Sequence, residues 1–317
     1  MLDTLQGLII RSQAGYMTVH TDQGEYTCRV RGKLRKGRMS GDLAAVGDRV
    51  LIQPQADGTG TIAEVLPRTS VLSRALSGVN YDYEQVILAN AGQILIVFAI
   101  QQPEPHLRML DRFLVVAERA HIPAVIVVTK LDLTSQAYAK SVFGLYEKLG
   151  YPVVYTSTKT NEGIDEVKGF LPGKISSLAG PSGVGKTSIL QKIFPNLELL
   201  VGRVGEGSQG KGRHTTQVRQ LYPLEGGGWL ADTPGMRTLA LWDIAGEELD
   251  AYYREMAGLV SECQFSDCTH SHEPGCAVRK AVEAGKIAES RYDSYLRLRF
   301  GDKRSLEEDI SQLYEEE

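Results

Sequence analysis

The octapeptide Gly180-Pro181-Ser182-Gly183-Val184-Gly185-Lys186-Thr187 constrains this chain more than any other stretch. It fills every fixed position of G-x-x-x-x-G-K-[ST], the phosphate-cradling loop. Its flanks are also those the motif requires. Ile175 to Ala179 is a short apolar run that reads as a buried strand, and Lys186 to Phe194 carries helical spacing. The glycines let successive backbone N–H groups turn inward on a polyphosphate. Lys186 reaches the outer phosphates, Thr187 ligates Mg²⁺, and the helix that continues through Ser188 presents its positive dipole end. A bare Gly-rich turn is the plainer alternative, and the complete motif with both flanks argues against it.

At 317 residues the chain fits two or three domains. Hydrophobic content of 42% and charged content of 23% are those of an ordinary globular protein. Net charge is only −4, so any nucleic-acid contact must come from a local patch. No apolar run approaches the ~20 residues of a membrane span, and the N-terminus lacks a charged-then-apolar leader. The expectation is a cytoplasmic protein without membrane contact. Three of the four cysteines crowd between Cys263 and Cys276 among histidines, which in a reducing compartment points to metal rather than disulfide.

The first 68 residues alternate apolar and polar positions in five short runs, around Leu8–Ile10, Tyr16–Val19, Glu25–Val30, Asp48–Ile52 and Gly60–Val65, with Gly, Asp and Pro between them. Five short strands suit a small barrel, with an OB-fold as the candidate. Arg29, Arg31, Lys33, Arg35, Lys36 and Arg38 form a cationic row between two of these strands. A solvated loop is the bland reading of such a row. Its place on a barrel favours contact with an RNA backbone. Pro67 to Tyr83 reads as an irregular linker.

The pattern then changes to α/β. Ile94–Ile100 is a continuous apolar strand, Leu107–Ala120 a helix, and Ala124–Val128 a second strand. A helix follows through Leu149, then a strand at Val153–Tyr155 and a short helix near Ile164–Leu171. Strand–helix alternation argues a parallel, doubly wound sheet with its ligand at the carboxyl ends of the strands. Thr129-Lys130-Leu131-Asp132 lies at such an end, and Ser157 at another. An aspartate there can accept hydrogen bonds from the ring N–H and exocyclic amine of guanine, whereas adenine presents an acceptor at the first of these positions and nothing at the second. The stem of Lys130 can lie along the base. Farther on, Gly212-Arg213-His214-Thr215-Thr216 sits in a Gly-rich stretch, where Thr215 or Thr216 can complete the Mg²⁺ shell. Trp229–Ala231 reads as a strand closed by Asp232-Thr233-Pro234-Gly235, with Asp232 for the metal's water and the Gly235 N–H for the terminal phosphate.

These motifs stand in an unusual order. Base recognition (129–132, 157) precedes the phosphate loop (180–187), the mobile threonines and Asp-x-x-Gly (232–235). One site can still be assembled if the domain is circularly permuted. The segment after Gly235 then runs into the C-terminal part of the chain. Loss of the terminal phosphate is accordingly expected to move that part.

The permuted order, the preceding barrel and the cysteine cluster together resemble the RsgA (YjeQ) family of circularly permuted GTPases. The resemblance covers essentially the whole chain. It implies GTP hydrolysis stimulated by the small ribosomal subunit, late small-subunit maturation and rRNA contact. Two positions depart from common patterns. Thr129 stands where the family usually has Asn, which removes an amide but leaves Asp132. Met236 follows Asp-x-x-Gly where many GTPases carry a glutamine that orients water, so His214 becomes the candidate for that role.

Cys263-x₄-Cys268-x-His270-x₅-Cys276 supplies three thiolates and an imidazole, enough for one closed tetrahedral Zn²⁺ site. His272 is an alternative fourth ligand by spacing, and the family resemblance selects His270. With no open position the zinc is expected to be structural. From Ala281 the chain reads as helical and basic, turning acidic from Glu307. The domain expectation is therefore an OB-fold over 1–68, a permuted α/β P-loop domain over 69–242 and an α-rich zinc domain over 243–317. An RNA-binding assembly factor that only senses GTP or GDP is the alternative from another class. A P-loop kinase or ATPase is a third, opposed by Asp132. Nothing points to an obligate dimer, so a monomer is expected.

Overall fold

A nine-residue strand, β1 (Leu5–Gln13), takes part in both a small barrel and an open α/β array of the same sheet. The structure is a computed structural model and describes residues 4–30, 43–75, 84–195, 219–232 and 246–301. The first half of β1 pairs antiparallel with β4 (Arg49–Pro54), Leu5 opposite Ile52 and Leu8 opposite Arg49. Its other edge pairs with β2 (Tyr16–Thr21). β3 (Gly24–Val30) runs antiparallel to β2 and parallel to β5 (Thr59–Val65), and β5 returns to β4. The cycle β1-β2-β3-β5-β4 closes a five-stranded OB-like barrel, which removes free edges. Alternate positions point inward, and Ile9, Val19, Cys28, Val50, Ile52 and Ile62 are fully buried there.

The end of β1 leaves the barrel. Arg11 and Ser12 pair with Gln220 and Arg219 of β12 (Arg219–Pro223), fusing barrel and α/β sheet into eleven continuous strands. A register shift against β2 between Ile9 and Arg11 marks an irregularity of the kind that bends a strand and re-aims its end.

The α/β sheet runs in the order β10 (Val153–Tyr155), β9 (Ala124–Thr129), β8 (Gln93–Ala99), β11 (Ile175–Ala179), β13 (Trp229–Asp232), β12. All neighbours are parallel except β12, which is antiparallel to β13. Every residue of β8 and β9 is buried, because helices cover both faces. Ile94, Ile96 and Phe98 of β8 pack toward α1 (Leu107–Arg119) and α2 (Gln136–Lys148). Leu95, Val97 and Ala99 face the opposite way, toward α3 (Ile164–Gly169) and α4 (Lys186–Ile193). This period-two split is what makes the sheet doubly wound.

The stretch read as an irregular linker contains strand β6 (Val71–Ala75), which pairs antiparallel with β7 (Glu84–Ala89). Leu72 is buried, but a five-residue strand whose partner lies beyond a long connection leaves little periodicity to read. This hairpin abuts the barrel. Ala89 N–H donates to Val46 O, and the Asn90 amide donates to Gly47 O, both at 2.9 Å.

The C-terminal residues form short helical turns (Gly246–Tyr252, Arg254–Ala257, Val260–Glu262) and two longer helices, Ala277–Glu283 and Glu289–Phe300. Their core is small and includes Val115 of α1. α1 is buried from Met109 to Ala117 because the sheet covers one side and this module the other. Arg291, 1% exposed, joins Asp111 of α1 to Glu255, with Nε 2.6 Å from the Glu255 carboxylate. The Tyr253 ring lies under its guanidinium at 4.4 Å. Burial works against the Arg291 charge, yet the two carboxylates hold it well above the ordinary range. Arg254 adds a second clamp, to Glu118 at 2.6 Å and to Gly150 O at 2.9 Å. The module is thus docked on the back of α1. Among the described residues, no helix is long and apolar enough to cross a membrane.

Candidate functional site

The phosphate loop lies between β11 and α4, at the carboxyl edge of the sheet. Gly180 has φ +133°, and a Cβ there would stand 2.1 Å from the Val97 carbonyl oxygen, so no side chain fits. Gly185 caps α4 in the left-handed region at φ 90°. The Lys186 ammonium is held over the loop mouth by the carbonyls of Gly180, at 2.8 Å, and Pro181. Pro181 and Val184 are buried and Ser182 partly so, whereas Gly183, Thr187 and Ser188 are exposed. The loop therefore presents a cation, a turned backbone and two hydroxyls to one edge of the sheet, a constellation suited to a polyphosphate with its divalent ion.

Thr129 ends β9 and is buried. Its hydroxyl donates to Val184 O at 2.6 Å, tying the end of β9 directly to the phosphate loop. The Thr129 hydroxyl thus has a partner of its own. Lys130 adopts φ 60° and donates to Gln102 O. Asp132 accepts from Ser157 Oγ at 2.7 Å and pairs with Lys159 Nζ at 2.9 Å. The Ser157 hydroxyl, followed by Lys159, holds its carboxyl below the usual range, so it is an acceptor at neutral pH. Lys159 was not among the residues singled out from the sequence, although it follows Ser157 by only two positions.

Asp232 ends β13, the neighbour of β11, which puts its backbone beside the strand that feeds the phosphate loop. His214, Thr215, Thr216 and Gly235 lie outside the described residues.

A second cluster lies in the C-terminal module. Sγ of Cys263, Cys268 and Cys276 and a ring nitrogen of His270 all fall within 4.8 Å of one another. His270 Nδ1 is 3.6 Å from Cys263 Sγ and 3.4 Å from Cys276 Sγ. A tetrahedral ion with Zn–S of about 2.3 Å and Zn–N of about 2.0–2.1 Å requires N–S edges of about 3.5 Å, which these two distances match. His270 Nε2 lies 3.0 Å from Asp250, a carboxylate placed where it would fix the tautomer of the imidazole were it to ligate an ion. Burial pushes the Cys268 thiol up to about 12. Burial also opposes the Cys276 thiolate, but the Arg279 N–H and His270 bring that thiol below its ordinary value. Such a set is suited to a divalent ion and can hold one zinc. His272 is exposed, bonds Ser271, and is not in the set.

A family model described as RsgA GTPase matches residues 65–242, and one described as RsgA N-terminal domain matches residues 6–62. This chain belongs to the RsgA GTPase family. A protein of Gemmatimonas aurantiaca named small ribosomal subunit biogenesis GTPase RsgA is 42% identical over 302 residues, 94% of this chain and 98% of that one. The crystal structure of YjeQ from Thermotoga maritima matches with TM-score 0.75 at 36% identity, covering 97% of this chain and 99% of that chain. The structure of YloQ, described as a circularly permuted GTPase, matches with TM-score 0.72 at 31% identity and 96% coverage of both.

The RsgA match extends over the barrel, where one residue of the cationic row is described. Arg29 is exposed, and its guanidinium stacks 4.1 Å from the Tyr16 ring. Arg31, Lys33, Arg35, Lys36 and Arg38 lie outside the described residues. Asp250 has no sequence signal, because it precedes His270 by 20 residues and belongs to no motif.

Proposed function

We propose that this chain is a GTP phosphohydrolase acting in small ribosomal subunit biogenesis. The observation that carries the reading is the Thr129–Val184 hydrogen bond, which joins a guanine-selective strand end to a phosphate loop that follows it in the chain. Asp132 with Ser157 would read the base edge, and Lys130 would lie along it. Gly180, Pro181, Ser182, Gly183, Val184, Gly185 and Ser188 would enclose the phosphates, with Lys186 neutralising charge that develops on them. Thr187, Asp232 and Thr215 or Thr216 would hold Mg²⁺, which supplies electrostatic stabilisation when bound. His214 would orient the attacking water, a task Met236 cannot perform, and the Gly235 N–H would bond the terminal phosphate.

The same proposal includes one structural zinc on Cys263, Cys268, His270 and Cys276, with Asp250 behind the histidine. Its domains divide at 1–68, 69–242 and 243–317. The barrel cations and the C-terminal helices would contact rRNA, and the protein would work in the cytoplasm as a monomer. The name of the relative supports the link to the small ribosomal subunit, and the cysteine–histidine cluster supports the zinc.

Turnover of GTP measured against increasing small subunit, with large subunit as control, tests the reading. Stimulation by the small subunit alone is expected. No stimulation would favour an assembly factor that only senses the nucleotide.

A further inference from the structure

The Asp132 side chain is 14% exposed beneath its partner, and that of Lys159, which pairs with it, is 73% exposed. One carboxylate oxygen takes the Ser157 hydroxyl at 2.7 Å, and the other takes Lys159 Nζ at 2.9 Å. The Ser157 oxygen in turn accepts the backbone N–H groups of Lys159 and Thr160, each at 3.2 Å. One hydroxyl therefore fixes both the carboxylate and the turn that carries the lysine, while the long Lys159 side chain keeps its rotamer freedom. Lys130, the other lysine of this site, is directed to Gln102 O instead.

Both carboxylate oxygens of Asp132 are already engaged, so a base edge with two donors must take the oxygen that the ammonium holds. We propose that Lys159 is a displaceable counter-ion of Asp132 that sets how strongly the site prefers a purine with a 2-amino group over one without. Guanine presents a ring N–H and an amine, so its second donor takes the place of the ammonium. Hypoxanthine presents the ring N–H alone, and Lys159 keeps its oxygen. The lysine thus acts against guanine and not against hypoxanthine, which lowers selectivity in exchange for a neutralised carboxylate in the free site. This rests on Asp132 as the reader of the base.

The test compares GDP and IDP affinities of the full chain for wild type, Lys159→Gln, Lys159→Arg and Asp132→Asn. The GDP-over-IDP preference is expected to rise about two- to five-fold in Lys159→Gln, the range for an exposed ion pair. Lys159→Arg keeps the charge and should keep the wild-type ratio. Added salt should raise the wild-type ratio toward that of Lys159→Gln and leave the latter unchanged, since the diphosphate contribution cancels between the two ligands. An unchanged ratio in Lys159→Gln would make the lysine a spectator, and a lower one would make it a support of the guanine; either overturns the proposal. Asp132→Asn should lose GDP and gain XDP. If it does not, the base-reading role itself fails, and that result is visible independently of Lys159.

Discussion

The Thr129 hydroxyl donates to the Val184 carbonyl over 2.6 Å, from the end of one strand to the middle of the phosphate loop. The two segments are 55 positions apart and their strands are not neighbours, since β8 lies between them. A single hydrogen bond thus passes over the central strand and ties the end of β9 to the loop after β11.

Thr129→Val should remove this bond while keeping shape and burial. Leaving a buried carbonyl unsatisfied costs about 1–3 kcal/mol. GDP affinity measured by calorimetry should fall five-fold or more by this estimate. Thr129→Ser, which keeps the hydroxyl, should lie closer to wild type. Equal affinities for all three proteins would show that the tie does not position the loop.

Arg291→Met should leave Asp111 and Glu255 as uncompensated buried charges. Breaking such a pair costs about 3–5 kcal/mol. Hydrogen exchange of Glu289–Phe300 and of the outer face of α1 should rise together. Protection that persists in both would mean that the ion pairs do not dock the module.

Asp250→Ala should weaken metal retention by about 10- to 100-fold, the range for losing the carboxylate behind a ligating histidine. A competition titration with a chromogenic chelator reads this directly. The module has a thin core, so metal removal should also expose it to proteolysis while the barrel stays protected. Unaltered retention would remove Asp250 from the metal site.

Cys28 is sealed inside the barrel, and burial pushes its thiol up to about 11 from 9.0. A raised thiol pKa favours the neutral form in the fold. Its contribution is therefore complete below about pH 9 and is lost as pH rises toward 11. The stability difference between wild type and Cys28→Ala should shrink over that window. A pH-independent difference would contradict this.

The phosphate loop was legible in the sequence because its determinants are contiguous: Gly180, Gly185 and Lys186 act through local backbone geometry. The barrel was legible through alternation, since each strand buries every second side chain. The joining of Arg11 to Gln220 was not, because pairing between strands so distant in the chain leaves no local trace. Thr129 was read as an absence of an amide, and only packing shows what its hydroxyl does. Asp250 and Arg291 are ordinary surface-type residues in the sequence, and their partners come from other elements of the fold.

The most direct measurement is nucleotide binding by Asp132→Asn and Lys186→Ala in parallel. If one guanine nucleotide spans both segments, Asp132→Asn should exchange GTP for XTP, and Lys186→Ala should weaken GTP in wild type and XTP in the Asp132→Asn background alike. Loss of phosphate binding in Lys186→Ala with GTP selectivity untouched in Asp132→Asn would place the two residues in separate sites and contradict it.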